Sequence, residues 1–219
     1  MAFLLGGNSM QVMATPLPEV VIVVPRRIGD ERGFFSEVWN AREFVSIGID
    51  AIFAQDNHVL SPLKGTLRGL HYQIPPVAQG KLLRVSRGAI FDVAVDIRRG
   101  SPTFGRHATA ILSSENWYTV WVPPGFAHGY CTLEEDTEVQ YKVTDFYSPE
   151  HERGIWWNDP ALMIQWPVTI EAAIVSERDQ KLSRLFEQRE LFEFTPCSCN
   201  PPCRTVAVCR RMAPMNVAV

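Results

Sequence analysis

Residues 90–97 read Ile90-Phe91-Asp92-Val93-Ala94-Val95-Asp96-Ile97, and this stretch has the alternation of a β-strand. Successive side chains of a strand point to opposite faces, so every second residue shares a face. One face carries Phe91, Val93, Val95 and Ile97, and the other carries Asp92, Ala94 and Asp96. The stretch therefore predicts a strand, and it sets the pattern for the segments on both sides of it.

Short strand-like segments occupy most of the chain from residue 20 to residue 143, with breaks rich in Gly, Pro and Ser between them. The predicted strands are Val20–Val24, Phe34–Trp39, Ala51–Leu60, Thr66–Gln73, Lys81–Ser86, Ile90–Ile97, His107–Leu112, Tyr118–Val122, His128–Leu133 and Thr137–Val143. Many short strands at this spacing predict an all-β antiparallel sandwich or barrel, of which a jelly roll is one form. Only a few short helices are expected, at Ala41–Gly48 and within Asp179–Glu193.

The length and the charge of the chain limit the number of domains and the kinds of partner that we expect. The 219 residues suit one domain, and 21 Lys and Arg against 24 Asp and Glu give a formal net charge of −3. This balance gives no reason to expect a nucleic acid or a membrane surface as the partner. No apolar run approaches the roughly 18–20 residues that span a bilayer, and we expect a cytoplasmic protein.

The composition predicts three segments. Residues 1–16 form an N-terminal extension, expected to be flexible, in which Met10 and Met13 are alternative starts. Residues 17–195 form the single domain, and residues 196–219 form a tail rich in Cys and Pro, expected to be disordered. The tail cysteines lack the paired CxxC spacing of structural zinc sites, so we predict neither zinc nor disulfides there.

Polar side chains on apolar strand faces are the first candidates for chemistry. Tyr141 shares its face with two valines, and Lys81 shares its face with a leucine and a valine. Gln55 and Asn57 lie on one common face and can present two amides together. A buried lysine or tyrosine needs a polar partner, which a ligand in an enclosed cavity would supply.

Histidines are the second set of candidates, because their reference pKa is about 6.5. His71 and His128 lie in predicted strands between apolar residues. Taken alone, each is more often a hydrogen-bonded structural residue than a catalyst. Metal-dependent cupins carry an HxH pair, but Tyr72 and Gln73 follow His71, so a metal site is not predicted.

Arg32, Arg68 and Arg178 are candidates for binding a phosphate, because the guanidinium fork matches phosphate oxygens. Arg68 and His71 are three residues apart, which places them on opposite faces of a regular strand. Both can face one cavity only if the strand is irregular between them. Gly69 is the predicted position of such a bulge.

Several blocks of the sequence, taken together and in order, resemble the dTDP-4-dehydrorhamnose 3,5-epimerases. The blocks are Gln55-Asp56-Asn57-His58, Arg68-Gly69-Leu70-His71-Tyr72-Gln73, Gln79-Gly80-Lys81-Leu82, Gly88-Ala89-Ile90-Phe91-Asp92-Val93, Val122-Pro123-Pro124-Gly125-Phe126-Ala127-His128-Gly129, Tyr141-Lys142-Val143-Thr144-Asp145-Phe146-Tyr147, Glu152-Arg153-Gly154-Ile155 and Trp157-Asn158-Asp159-Pro160. The resemblance covers roughly Leu17 to Leu185. Arg178 stands where many members have lysine, and the segment after Phe194 has no counterpart in the family.

The resemblance implies a cupin-like jelly roll without a metal or a redox cofactor, and a homodimer in which an N-terminal strand crosses to the partner. It implies a small-molecule dTDP-sugar substrate that is epimerised at C3 and C5 beside a C4 ketone. The implied catalytic residues are His71 as the base, Asp179 as the carboxylate that orients it, Tyr141 as the acid and Lys81 beside the developing oxyanion. The implied substrate-binding residues are Gln55, Asn57, Arg68, His128 and Arg178 at the sugar and pyrophosphate, and Arg32, Glu37, Tyr147 and Glu152 at the nucleotide.

Two other functions stay open at this stage. An enzyme that inverts only C3 or only C5 of a related keto-sugar nucleotide would keep the same catalytic residues. A cupin that binds a sugar nucleotide without catalysis would not need the complete set of base, acid and oxyanion partner. Deuterium incorporation from solvent distinguishes all three.

Overall fold

The computed structural model describes residues 10–196, and almost all of its regular structure is β-strand. In chain order, the strands are β1 (Gln11–Ala14), β2 (Val21–Val24), β3 (Arg27–Asp30), β4 (Gly33–Ser36), β5 (Gln55–Ser61), β6 (Thr66–Gln73), β7 (Lys81–Arg87), β8 (Ala89–Asp96), β9 (Arg98–Arg99), β10 (His107–Ser113), β11 (Thr119–Val122), β12 (Phe126–Thr132), β13 (Thr137–Val143), β14 (Glu152–Gly154), β15 (Ile174–Val175) and β16 (Phe192–Glu193).

Two short α-helices flank the strands. Helix α1 (Ala41–Ser46) begins at Asn40, whose side chain accepts hydrogen bonds from two backbone N–H groups of the first turn. Helix α2 (Glu177–Gln180) begins at Ser176, whose hydroxyl accepts from the backbone N–H of Asp179. Single turns of 3₁₀-helix cover Pro160–Leu162 and Leu185–Glu187.

Two antiparallel sheets form the body of the domain. One has the strand order β1-β2-β11-β7-β13-β5, and the other has the order β10-β8-β12-β6-β14, with β15 added in parallel to β6. Strands β3 and β4 form a separate two-stranded ribbon. This arrangement confirms the predicted all-β, cupin-like jelly roll.

The main core lies between the two sheets. Leu83, Val85 and Val139 of the first sheet pack there against residues of the second sheet such as Ile90 and Leu112. Their burial follows from the alternation of each strand, since the intervening residues face outward.

Strand β8 is buried on both faces. Val93 and Val95 belong to a second apolar cluster, where Ile155, Leu162 and Leu185 of the C-terminal segment cover the sheet. The opposite face of β8 turns Ala94 into the core between the sheets. The alternation of residues 90–97 therefore divides the apolar residues of this stretch between two separate cores.

Most predicted strands are confirmed, and β6 and β13 have the predicted bounds. The prediction of flexibility over residues 1–16 is wrong for Gln11–Ala14, because β1 pairs with β2 along its whole length. The predicted C-terminal helix is reduced to α2 and one 3₁₀ turn, and Phe192–Glu193 form strand β16.

The domain limits stay a prediction, and the Cys- and Pro-rich tail lies outside the described residues except for Pro196. Within residues 10–196, no helix is long and apolar enough to cross a membrane.

Candidate active site

A cavity of about 470 Å³ opens into the barrel between the two sheets. Most of the residues singled out from the sequence line it, namely Arg68, His71, Lys81, His128, Tyr141, Arg178 and Asp179. A second cavity of about 260 Å³ adjoins it and shares His71, Lys81 and Tyr141. The second cavity is also lined by Gln55, Asn57, Tyr147 and Glu152.

Strand β6 is irregular at Gly69, as predicted. Gly69 has φ +125°, a conformation that favours glycine, and an added Cβ would lie 2.6 Å from Cα of Gly129. The pairing with β12 shifts register at the same place, between the pair His71–His128 and the pair Arg68–Tyr130. This irregularity brings the side chains of Arg68 and His71 into one cavity.

His71 and Asp179 form a hydrogen-bonded pair across two distant parts of the chain. Nε2 of His71 lies 2.8 Å from Oδ1 of Asp179, and the backbone N–H of Gly69 donates to Oδ2 at 3.3 Å. Burial alone would raise the pKa of Asp179. The hydrogen bond and charge of His71, with donors from Gly69 and Ser176, outweigh burial and hold the pKa below its ordinary value. Asp179 is therefore an ionised carboxylate that accepts the Nε2 proton of His71.

Lys81 begins β7, at the edge of the apolar interior, and its ammonium points into the cavity. Its Nζ donates to the main-chain oxygen of His71 at 3.3 Å. Burial lowers the pKa of Lys81 to about 8, against the opposing effect of the carboxylates of Glu152 and Asp92. The side chain is thus a cation near neutral pH that loses its charge in mild base.

Tyr141 projects from β13 into the same cavity, and its ring packs against the core between the sheets. Burial raises the pKa of Tyr141, the guanidinium of Arg68 lowers it, and the carboxylate of Glu152 raises it, so that it lies above its ordinary value. The phenol is therefore protonated at neutral pH and available as a proton donor.

A second histidine–carboxylate pair lies deeper in the barrel. Nε2 of His128 is 2.7 Å from Oδ2 of Asp92, and both side chains are buried. Asp92 was not among the site residues predicted from the sequence. The alternation of β8 places the Asp92 carboxylate on the same face as Ala94, which packs inside the barrel. That position was the signal in the sequence for a carboxylate inside the barrel.

The rim of the second cavity carries a polar cluster. Oε2 of Glu152 accepts from the hydroxyl of Tyr147 at 2.7 Å and pairs with Nη1 of Arg178 at 2.5 Å. The amide of Gln55 joins the cluster by accepting from the backbone N–H of Tyr147 and donating to Oδ1 of Asn57. Tyr147 is 52% exposed, so about half of the residue remains accessible.

Two of the predicted substrate-binding residues lie away from both cavities. Arg32 is at the turn between β3 and β4, where its guanidinium pairs with Asp30. Glu37 follows β4 and accepts a hydrogen bond from Asn40. Neither residue lines the cavities of its own chain. Within residues 10–196, the structure contains no group of three or more His, Cys, Asp or Glu placed to hold a metal ion.

Known proteins resemble this chain over most of its length. The sequence model of the family described as dTDP-4-dehydrorhamnose 3,5-epimerase matches residues 14–187. The dTDP-4-dehydrorhamnose 3,5-epimerase of Sinorhizobium fredii is 47% identical over 193 residues, which are 87% of this chain and 98% of that protein. The enzyme of the same name from Pseudomonas aeruginosa is 51% identical over 173 residues, covering 78% of this chain and 94% of the other.

A solved structure gives the same result at the level of the fold. The dTDP-6-deoxy-D-glucose-3,5-epimerase of Legionella pneumophila, in complex with dTDP-4-keto-L-rhamnose, superimposes with a TM-score of 0.81 at 44% identity. The match covers 85% of this chain and 99% of that chain. The chain therefore belongs to the dTDP-4-dehydrorhamnose 3,5-epimerase family and is an isomerase.

Proposed function

We propose that the chain converts dTDP-4-dehydro-6-deoxy-D-glucose into dTDP-4-dehydro-L-rhamnose, by removing and returning protons at C3 and C5 beside the C4 ketone. One observation carries the assignment of roles. A carboxylate-paired histidine, a protonated tyrosine and a lysine cation line the same cavity. These are the base, the acid and the oxyanion partner that a two-proton epimerisation requires.

His71 is the proposed base. Because Nε2 donates to Asp179 at 2.8 Å, the lone pair of the neutral ring is on Nδ1, which is free to accept a proton. The carboxylate of Asp179 stabilises the imidazolium that forms. The C4 ketone acidifies the hydrogens on both C3 and C5, so one base can serve both positions in turn.

Lys81 is the proposed partner of the enolate oxygen. Removal of the proton moves negative charge onto the oxygen at C4, and a nearby cation lowers the energy of that state. Below a pH of about 8 the ammonium is charged. Its contact with the main-chain oxygen of His71 holds it beside the base.

Tyr141 is the proposed acid. Inversion requires that the proton returns from the face opposite to the base. Tyr141 is on β13 of the first sheet, whereas His71 is on β6 of the second, so the two groups reach the cavity from different sheets. In each inversion His71 gains a proton and Tyr141 loses one, and exchange with water restores both.

The remaining cavity residues are proposed to bind the substrate. Arg68 and Arg178 supply guanidinium groups for the diphosphate, and His128, Gln55 and Asn57 supply hydrogen bonds to the sugar and pyrophosphate. Tyr147 is proposed to stack on the thymine base, with Glu152 fixing its hydroxyl. The complex of the Legionella pneumophila enzyme with dTDP-4-keto-L-rhamnose supports a dTDP-sugar ligand.

The positions of Arg32 and Glu37 support the proposal of a homodimer with strand exchange. Arg32 and Glu37 lie outside the two cavities of their own subunit. If both residues contact the nucleotide, they must therefore do so in the cavity of a second subunit. The β3–β4 ribbon that carries Arg32 also exposes Phe34 and Phe35, which are 55% and 69% exposed. An exposed apolar ribbon of this kind is suited to burial against a partner.

Mixed subunits test this arrangement. Arg32→Ala and His71→Asn, each deficient alone, should recover turnover when they are unfolded and refolded together. A mixed dimer then has one intact site, and about a quarter of all sites become intact at equal mixing. No recovery, with mixed dimers present, would place Arg32 in the cavity of its own subunit or outside the site.

Deuterium incorporation tests the central proposal. The protein is incubated in deuterated water with dTDP-4-dehydro-6-deoxy-D-glucose, and the label is located by NMR. We expect deuterium at both C3 and C5. Label at C3 alone or C5 alone would support the mono-epimerase alternative, and no label at either carbon would support a binding protein without catalysis.

Two further predictions accompany the proposal. Activity should survive exhaustive chelation, because every proposed step uses side chains of this chain. A preparation that loses activity with EDTA and regains it with one divalent metal would contradict the proposal. The cytoplasmic location expected from the sequence stays a prediction.

A further inference from the structure

Tyr130 carries a buried hydroxyl group with no hydrogen-bond partner among the described residues. The residue is 4% exposed, although a phenol without a partner is costly to bury. Nearly all buried polar groups in native proteins are hydrogen-bonded, so an orphan of this kind calls for an explanation. Tyr130 was not among the site residues predicted from the sequence.

The position of Tyr130 indicates where its partner comes from. Tyr130 is on β12, two residues after His128, so both side chains point into the barrel. It lines the larger cavity together with His71, Lys81 and Tyr141. Asp92, which lies opposite Tyr130 on β8, is already engaged by His128 at 2.7 Å.

The protonation state makes the hydroxyl a donor. Burial raises the pKa of Tyr130, the guanidinium of Arg68 lowers it, and Tyr141 and Asp92 raise it, so that it lies well above its ordinary value. A phenol that stays protonated across the working pH range has one hydrogen to donate. This hydrogen needs an acceptor, and the cavity that Tyr130 lines is where an acceptor can enter.

We propose that the Tyr130 hydroxyl donates a hydrogen bond to an oxygen atom of the hexose of the bound substrate, and thereby positions the ring between His71 and Tyr141. This inference rests on the proposed function. The hexose is favoured over the nucleotide because Tyr130 lines a cavity that contains the base and the acid but lacks Tyr147 and Glu152, the residues assigned to the nucleotide. It is favoured over the diphosphate because Arg68 and Arg178 already offer charged donors for phosphate.

A second orphan hydroxyl provides a matched control. Oγ1 of Thr119 is also buried without a partner among the described residues, but it lies on β11 and lines a different cavity of about 200 Å³, which shares only Tyr141 with the cavity of Tyr130. Thr119→Val removes the hydroxyl of Thr119, and Tyr130→Phe removes the hydroxyl of Tyr130. The two changes are chemically comparable. Only Tyr130→Phe removes a group from a cavity that His71 lines.

Three measurements on the parent and both variants test the inference: kcat/KM for dTDP-4-dehydro-6-deoxy-D-glucose, and the Kd values of dTDP-glucose and of dTDP by calorimetry. dTDP-glucose carries the hexose and dTDP lacks it, so the two ligands separate binding of the hexose from binding of the nucleotide. For Tyr130→Phe we expect kcat/KM to fall, and the Kd of dTDP-glucose to rise, by about 10-fold or more. The Kd of dTDP should change by less than about two-fold, and the melting temperature should not fall, because the variant removes an unsatisfied group.

Thr119→Val should leave all three ligand measurements unchanged. Values of kcat/KM and of the Kd of dTDP-glucose for Tyr130→Phe equal to those of the parent would overturn the inference. An equal loss of affinity for dTDP and dTDP-glucose would also overturn it, by moving the contact to the nucleotide. Failure of the proposed function has a different signature, because the parent itself would then incorporate no deuterium, and the Kd of dTDP-glucose would still report on Tyr130.

Discussion

Arg68 and His71 face the same cavity although they are three positions apart on β6, because the strand is irregular at Gly69. On a regular strand one of these side chains would point into the cavity and the other away from it. The tight approach of Gly69 to the backbone of β12 is thus a condition for bringing the base and a phosphate-binding arginine together.

Gly69→Ala should destabilise the protein by about 2 kcal/mol or more, measured as the free energy of unfolding in urea. The added Cβ would lie 2.6 Å from Cα of Gly129 and 2.8 Å from the main-chain oxygen of His128. Gly100→Ala is the control, because Gly100 also has a positive φ but an added Cβ meets nothing within 4 Å. Equal effects of the two changes would mean that the approach to β12 is not a constraint.

His71→Asn and Tyr141→Phe should each lower kcat by roughly 10²-fold or more, while the Kd of dTDP stays close to that of the parent. Both residues are assigned to proton transfer at the hexose, which dTDP lacks. Tyr147→Ala should behave in the opposite way and weaken dTDP binding by about 1–3 kcal/mol through lost stacking. Steady-state kinetics and calorimetry check these variants, and near-normal turnover of His71→Asn would assign the base to another residue.

The activity should decline above a pH of about 8. The pKa of Lys81 is lowered to about 8, so its cation is present below that pH and is lost as the pH rises through it. Loss of the cation removes the stabilisation of the enolate oxygen. The pH profile of kcat/KM should therefore have a basic limb near 8, and the residual activity of Lys81→Gln should lack this limb. A basic limb that is unchanged in Lys81→Gln would assign it to a different group.

Lys81→Met should raise the free energy of unfolding at pH 7 by about 1–3 kcal/mol while abolishing turnover. The pKa of Lys81 is lower in the folded protein than its ordinary value of 10.5, so burial of the cation opposes folding below a pH of about 8. Between about 8 and 10.5 the folded state releases this proton before the unfolded state does, so the stability of the parent gains with rising pH.

Urea unfolding of the parent and of Lys81→Met at pH 7 and at pH 10 checks this sign. The difference between the two proteins should shrink at the higher pH, since the cation that opposes folding has been neutralised. A difference that grows with pH would mean that Lys81 stabilises the fold as a cation. Comparison of the two proteins cancels the titration of the other groups.

The sequence by itself determined the strands and the face on which each side chain lies, because alternation is a local property of two residues per repeat. It placed Tyr141 and Lys81 on faces that the structure turns into the barrel. It also placed the irregularity at Gly69, since two polar residues at a spacing of three can share a cavity only through a bulge. The short blocks from Gln55 to Pro160 were enough to indicate the family.

Only the tertiary structure decided which residues meet. Asp179 reaches His71 across 108 residues, and Asp92 reaches His128 across 36, through the pairing of strands and the docking of α2. The sequence also gave no sign that Tyr130 would be buried without a partner. Such contacts depend on how the two sheets and the C-terminal segment pack around the cavity. No local repeat encodes that closure, because the contacting residues are distant in the chain and adjacent only after folding.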